Sequence, residues 1–219
     1  MPINPPQDFQ PLTRHIEALI QQVKNGASSD DIVWELEQAL FILNDIGIND
    51  PATGVFNRRG LLVYLDAELD RAKRTGHTFS IAIIGVDRFQ ELGRQYGAEV
   101  GQQILLKLAQ AASKSLRSLD AIGLINEDEF AIVLPTTWLD QSSIPITRIT
   151  QGMARVDWDA IAPDLDVTFS SGLTPNAFGD TSATMLARAA EALAMARAKG
   201  PGSTAELEKD LPPIDPDLL

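Results

Sequence analysis

The run from Phe79 to Val86, Phe-Ser-Ile-Ala-Ile-Ile-Gly-Val, limits the fold more than any other stretch of the chain. It is almost continuously apolar, too short and too rich in Ile to prefer a helix, and it predicts a central strand buried on both faces. Helix-period patterns surround it. One begins at Asn57, a predicted N-cap, and runs through Leu61, Leu62, Leu65, Leu69 and Ala72 to Gly76. Others are expected over about 98–116, around 146–156 and over 182–199, the last closed by Gly200. A further strand is expected over 166–171. Ala121 to Ile125 and Phe130 to Leu134 are short apolar runs separated only by Asn126-Glu127-Asp128-Glu129, which predicts an antiparallel hairpin with three carboxylates at its tip. Strands and helices that alternate in this way define an α/β or α+β class, a mixed central sheet flanked by helices.

The ends of the chain differ in character. Residues 11–24 and about 30–46 carry two helical patterns separated by Asn25-Gly26, the second with Ile32, Leu36, Ala39, Leu43 and Ile46 in a narrow seam. This N-terminal extension, 1–49, either packs on its own domain or serves as a dimerising or partner-binding stalk. Asn49-Asp50-Pro51 breaks the pattern and starts the main domain, expected over 50–202. The acidic, Pro-containing tail, 203–219, is expected to be disordered.

Composition excludes several classes. The chain of 219 residues has no cysteine, which removes disulfides, Cys-ligated zinc and thiol catalysis together. Its formal net charge of −12 repels nucleic acid and anionic lipid, and no basic run opposes that field. No apolar stretch is long enough for a spanning helix and the first residues do not resemble a secretory signal, so a cytoplasmic protein is expected. His15 and His77 stand alone in polar contexts and are expected at the surface, with no second ligand at metal spacing. Trp34, Trp138 and Trp158 are scattered rather than interleaved with basic residues. Asn57-Arg58-Arg59 is expected to cap and pack the first domain helix rather than grip phosphate.

Several ordered motifs resemble the GGDEF domain of diguanylate cyclases, which condense two GTP into cyclic di-GMP. Asp50-Pro51-Ala52-Thr53-Gly54-Val55-Phe56-Asn57-Arg58-Arg59 is similar to the family's opening motif, with Ala52 in place of Leu. Gly85-Val86-Asp87-Arg88-Phe89 lies where the family has D-x-D-x-F, Asn126-Glu127-Asp128-Glu129-Phe130 lies at the signature itself, and Ser171-Gly172 with Ala189 to Gly200 resembles the closing motifs. The match spans roughly 50–202 and implies the nucleotidyl-cyclase-like GGDEF fold.

The same resemblance marks departures. The family's first metal-binding Asp corresponds to Gly85, its Lys after the Phe to Gln90, and its two guanine-contacting residues to Gly93 and Gln102. Its closing Lys and Arg correspond to Arg197 and Pro201. The two signature glycines are Asn126 and Glu127, and Glu127 tolerates φ > 0 poorly and adds a negative charge where triphosphate would sit. Phosphoryl transfer depends on positioning and charge compensation, so these changes predict a degenerate site: no enzyme activity, no catalytic residue, no metal site and no cofactor. Asp87 and Asp128 remain as carboxylates.

A second family site survives. Many relatives bind cyclic di-GMP for feedback inhibition at an R-x-x-D motif shortly before the signature, and Arg117-Ser118-Leu119-Asp120 sits at that spacing, with Arg148 at the position of a further Arg. A guanidinium forks onto phosphate or the guanine Hoogsteen edge, and a carboxylate accepts from the guanine amine. The resemblance therefore implies a signalling protein that binds cyclic di-GMP through Arg117, Asp120 and Arg148 and relays it to a protein partner, with ligand-linked homodimerisation as a corollary. A structural Arg117–Asp120 ion pair and a nucleotide-independent interaction scaffold are the competing readings, with residual diguanylate cyclase activity a third.

Overall fold

A computed structural model of the chain describes residues 47–209, so the expected helices over 11–24 and 30–46 and the end of the tail lie outside the described residues. By its contacts the chain divides into Met1–Asn49 and Asp50–Leu219. Within the second unit the elements run β1 (Phe56–Asn57), α1 (Arg58–Thr75), β2 (Ser80–Val86), α2 (Phe89–Tyr96), α3 (Ala98–Ser115), β3 (Ala121–Leu124), β4 (Glu129–Leu134), α4 (Leu139–Met153), β5 (Phe169–Pro175), α5 (Ser182–Lys199) and β6 (Thr204–Glu206). The six strands form one mixed sheet in the order β1-β3-β4-β2-β5-β6. β2 lies between β4 and β5, antiparallel to both, while the two outer strands run parallel to their neighbours.

Strand β2 is buried along its whole length, as its composition requires. Its alternation separates two cores. Ala82, Ile84 and Val86 face α2, α3 and α4, where Ile104, Leu108 and Ile149 pack. Ile81 and Ile83 face the opposite layer, where Leu61, Leu65, Ala189 and Leu193 of α1 and α5 pack. The hairpin forms as expected, with Leu124 opposite Phe130 and Gly123 opposite Ala131. Asn57 caps α1 by accepting from the Gly60 amide at 3.0 Å. Arg58 donates from Nη1 to the Ile125 carbonyl at 3.2 Å, which ties the hairpin to the start of α1.

Four expectations change. Residues 89–96 form a helix that the sequence pattern did not predict, because only Leu92 of that segment is buried and its apolar period is short. Helix α4 starts at Leu139 rather than near Ile146, so Pro145 lies inside it. The strand expected over 166–171 is Phe169–Pro175. Thr204–Glu206, assigned to a disordered tail, instead pairs with β5, with Ala205 opposite Gly172 and buried.

Candidate functional site

Two groups of side chains lie at or near the ends of the β3–β4 hairpin. At the tip, β4 begins at Glu129 directly opposite Gly85 of β2. Arg197, near the end of α5, reaches across the sheet into that corner. Its Nη1 donates to Glu129 Oε1 at 2.9 Å, and its Nη2 donates to Asp128 Oδ2 at 3.1 Å and the Val86 carbonyl at 3.4 Å. This is possible because residue 85 has no side chain: a Cβ there would stand 2.2 Å from Arg197 Nη2. Asn126 donates to the other Glu129 oxygen at 2.6 Å. Burial pushes the Asp128 carboxyl above its ordinary value, the neighbouring Glu129 adds to the rise, and Arg197 offsets part of it.

Asp87 is used otherwise. It is buried, and its Oδ2 accepts from Thr168 Oγ1 and the Gly202 amide, each at 2.8 Å, joining the end of β2 to the start of β5 and to the turn before β6. The divalent metal that the resemblance implies does not fit the corner as it stands. Gly85 offers no carboxylate, a guanidinium fills the space beside Asp128 and Glu129, and Asp87 is held by its own partners.

The other group lies around the turn between α3 and β3. The Arg117 amide donates to Asp120 Oδ2 at 2.8 Å, and the Asp120 amide returns to the Arg117 carbonyl at 3.0 Å. Tyr64 of α1 donates its hydroxyl to the Leu119 carbonyl, fixing the turn from the side. Burial raises the Tyr64 phenol above its usual value, and Glu68 adds to the rise. Arg117, Asp120 and Arg148 line one notch of about 40 Å³, with Pro145 and Ile144 on its apolar side. The structure thus brings the three expected residues together. Arg117 and Arg148 are exposed, and neither guanidinium forms an ion pair among the described residues. The notch is too small to enclose a dinucleotide, so any such ligand lies across its rim and meets the two guanidinium groups from solvent.

The isolated histidines and tryptophans take different places. His77 is half-buried: its side chain is 19% exposed and its Nε2 lies 2.8 Å from the buried Glu68, which also pairs with Arg71. Trp138 is exposed and Trp158 packs against the core beside α3 and α4. Trp34 and His15 lie outside the described residues. Sequence reasoning missed Tyr64, whose link to Leu119 joins positions 55 residues apart and leaves no local signal. It kept Arg197 as a cation but had no means of placing it over Gly85.

The family model for the diguanylate cyclase GGDEF domain matches residues 48–203. The chain belongs to the GGDEF domain family of diguanylate cyclases. Among curated relatives, the diguanylate cyclase DgcP of Pseudomonas aeruginosa is 28% identical over 153 residues, covering 70% of this chain and 23% of DgcP. The response regulator PleD of Caulobacter vibrioides is 27% identical over 198 residues, 89% of this chain and 42% of PleD. The chain thus spans less than half the length of either. Among solved structures, the diguanylate cyclase SiaD in complex with its activator SiaC, from Pseudomonas aeruginosa, aligns with TM-score 0.68 at 28% identity over 93% of this chain and 77% of that one. The coiled coil and GGDEF domain of DgcB from Caulobacter crescentus aligns with TM-score 0.75 at 18% identity, over 87% and 100% of the two chains, a likeness of fold.

These findings correct one expectation. The departures at Gly85, Gln90, Gly93, Gln102, Asn126, Glu127 and Pro201 predicted a chain that is not an enzyme. They are substitutions in a chain that the GGDEF model matches over residues 48–203 and whose relatives include a named diguanylate cyclase, so they do not establish the absence of activity. No helix among the described residues is long and apolar enough to cross a membrane.

Proposed function

We propose that this chain works in cyclic di-GMP signalling as a GGDEF domain that binds the dinucleotide across Arg117, Asp120 and Arg148 and relays its occupancy to a protein partner. One observation carries the reading. Two exposed guanidinium groups without ion-pair partners among the described residues face a common notch beside an Asp whose backbone turn is already fixed. Planar, bidentate donors of this kind match phosphate and guanine edges, and they stand out locally against a chain of net charge −12. A dinucleotide has two equivalent halves, so it can bridge the same face of two copies. That SiaD was solved with a protein activator supports a partner for this chain as well.

Cyclase activity is the second reading, favoured by the family and by the retained Asp128-Glu129-Phe130. Isothermal titration with cyclic di-GMP, alongside an assay of GTP turnover with magnesium, separates the two. Binding at micromolar or tighter affinity that disappears in Arg117→Ala and weakens at least about tenfold in Arg148→Ala supports the dinucleotide site. No heat with cyclic di-GMP removes it. GTP turnover lost in Asp128→Ala establishes the cyclase.

A further inference from the structure

A groove between α3 and α4 carries four cations, three of which neither the fold nor the dinucleotide site uses. Lys107 and Lys114 stand seven positions apart on α3, two turns, and so share one face of that helix. Arg148 on α4 and Arg155, in the turn that ends α4, repeat the same interval. The four line one groove of about 500 Å³. Its floor is of small residues: a Cβ on Gly152 would stand 3.5 Å from Ala111 Cβ, so the helices approach closely there and leave the long cations at the margins.

None of the four forms an ion pair among the described residues, and no Asp or Glu lies three or four positions from Lys107, Lys114 or Arg148; Asp159 follows Arg155 by four but does not line the groove. On an exposed helix, acids at those spacings pair with Lys and Arg. Here the cations are left to repel one another across a groove, in a chain that is otherwise strongly acidic. The cost of that arrangement is recovered when an anionic surface lies in the groove.

We propose that this groove docks an acidic segment of a protein partner, with carboxylates repeated along one face of a helix. The two pairs of cations span about 10 Å along the groove, which exceeds the reach of a single phosphate and matches acids two helical turns apart. Nucleic acid fits less well, because the net charge of −12 repels a long polyanion and no aromatic side chain lines the groove to stack bases. Docking here does not depend on the dinucleotide reading, although Arg148 borders both sites.

The test is fluorescence anisotropy on the full chain, with a labelled helical peptide that carries Glu along one face and a control of the same composition with Glu dispersed around the helix. Pyrophosphate and a duplex DNA oligonucleotide serve as competitors. The one-faced peptide is expected to bind at least about tenfold more tightly than the control, and Lys114→Glu and Arg155→Glu are each expected to weaken it about tenfold. Lys199→Glu, an exposed reversal on α5 across the sheet, leaves binding unchanged. Equal binding of the two peptides, equal loss in Lys199→Glu, displacement by equimolar pyrophosphate, or tighter binding of DNA overturns the proposal. Cyclic di-GMP titrated against the same variants keeps the two sites apart: absence of dinucleotide binding with peptide binding intact removes the earlier reading and leaves this one.

Discussion

Arg197 takes its position because residue 85 stops at Cα. A Cβ at 85 meets the far end of a flexible side chain, so the guanidinium must move and give up hydrogen bonds to Asp128 and Glu129. Gly85→Ala is expected to cost about 1–3 kcal/mol in the native chain and clearly less in an Arg197→Ala background. A double-mutant cycle by urea unfolding measures the difference, and strict additivity contradicts the contact. Two carboxyls give opposite pH dependences. The Asp128 carboxyl is held above its unfolded value by burial first and Glu129 second, so its contribution is present below the unfolded value and is lost as pH rises through the folded one. Arg197→Ala raises it further, as an NMR titration would record. For Asp180, burial alone would raise the carboxyl, but hydrogen bonds from Arg188 and the Ala177 amide and the charges of Arg188 and Lys209 outweigh it and hold it below the ordinary value. Its contribution is present above the unfolded carboxylate value and is lost as pH falls through the folded one. Arg188→Ala leaves that buried carboxylate without its main partner, with an expected cost of about 3 kcal/mol at neutral pH and a smaller one in acid, read from Tm at each pH.

At the scale of elements, α5 lies so close to the sheet that its backbone touches β5. A Cβ on Gly172 would stand 2.1 Å from the Leu193 amide nitrogen and 2.4 Å from the Ala189 carbonyl oxygen. Neither atom can swing aside as an arginine can. Gly172→Ala is therefore expected to destabilise the domain by more than about 3 kcal/mol, in contrast to Gly85→Ala, and guanidinium unfolding of the two variants compares them directly. The same packing explains what sequence could convey. The continuous burial of β2, the hairpin with its four-residue polar break and the helices α1, α3 and α5 are local patterns, and each was legible. Helix α2 was not, since a short helix with one buried residue has almost no period. The start of α4 was hidden by Pro145, which sits inside the helix although its type signals a boundary. At the candidate site, Arg117, Asp120 and Arg148 were legible from motif spacing, but the lack of ion pairs at the two guanidinium groups among the described residues was not. The basic groove was invisible because its cations come from two helices some forty residues apart in the chain, and no run of them exists in sequence.

For the molecule as a whole, the contacts divide at Asn49, and both cores described above are built from residues beyond that point. The segment 50–209 is accordingly expected to unfold cooperatively on its own, with coincident circular dichroism and fluorescence transitions, whereas removal of residues beyond 202 deletes β6 and lowers Tm by several degrees. The sheet itself ends bluntly. Its outermost strands are two and three residues long, so neither margin offers an incoming chain a useful ladder of free amides and carbonyls. Strand addition, by which many sheets recruit peptides or aggregate, has almost no template here. Among the described residues, the helices and turns offer a partner of this domain more surface than the sheet margins do.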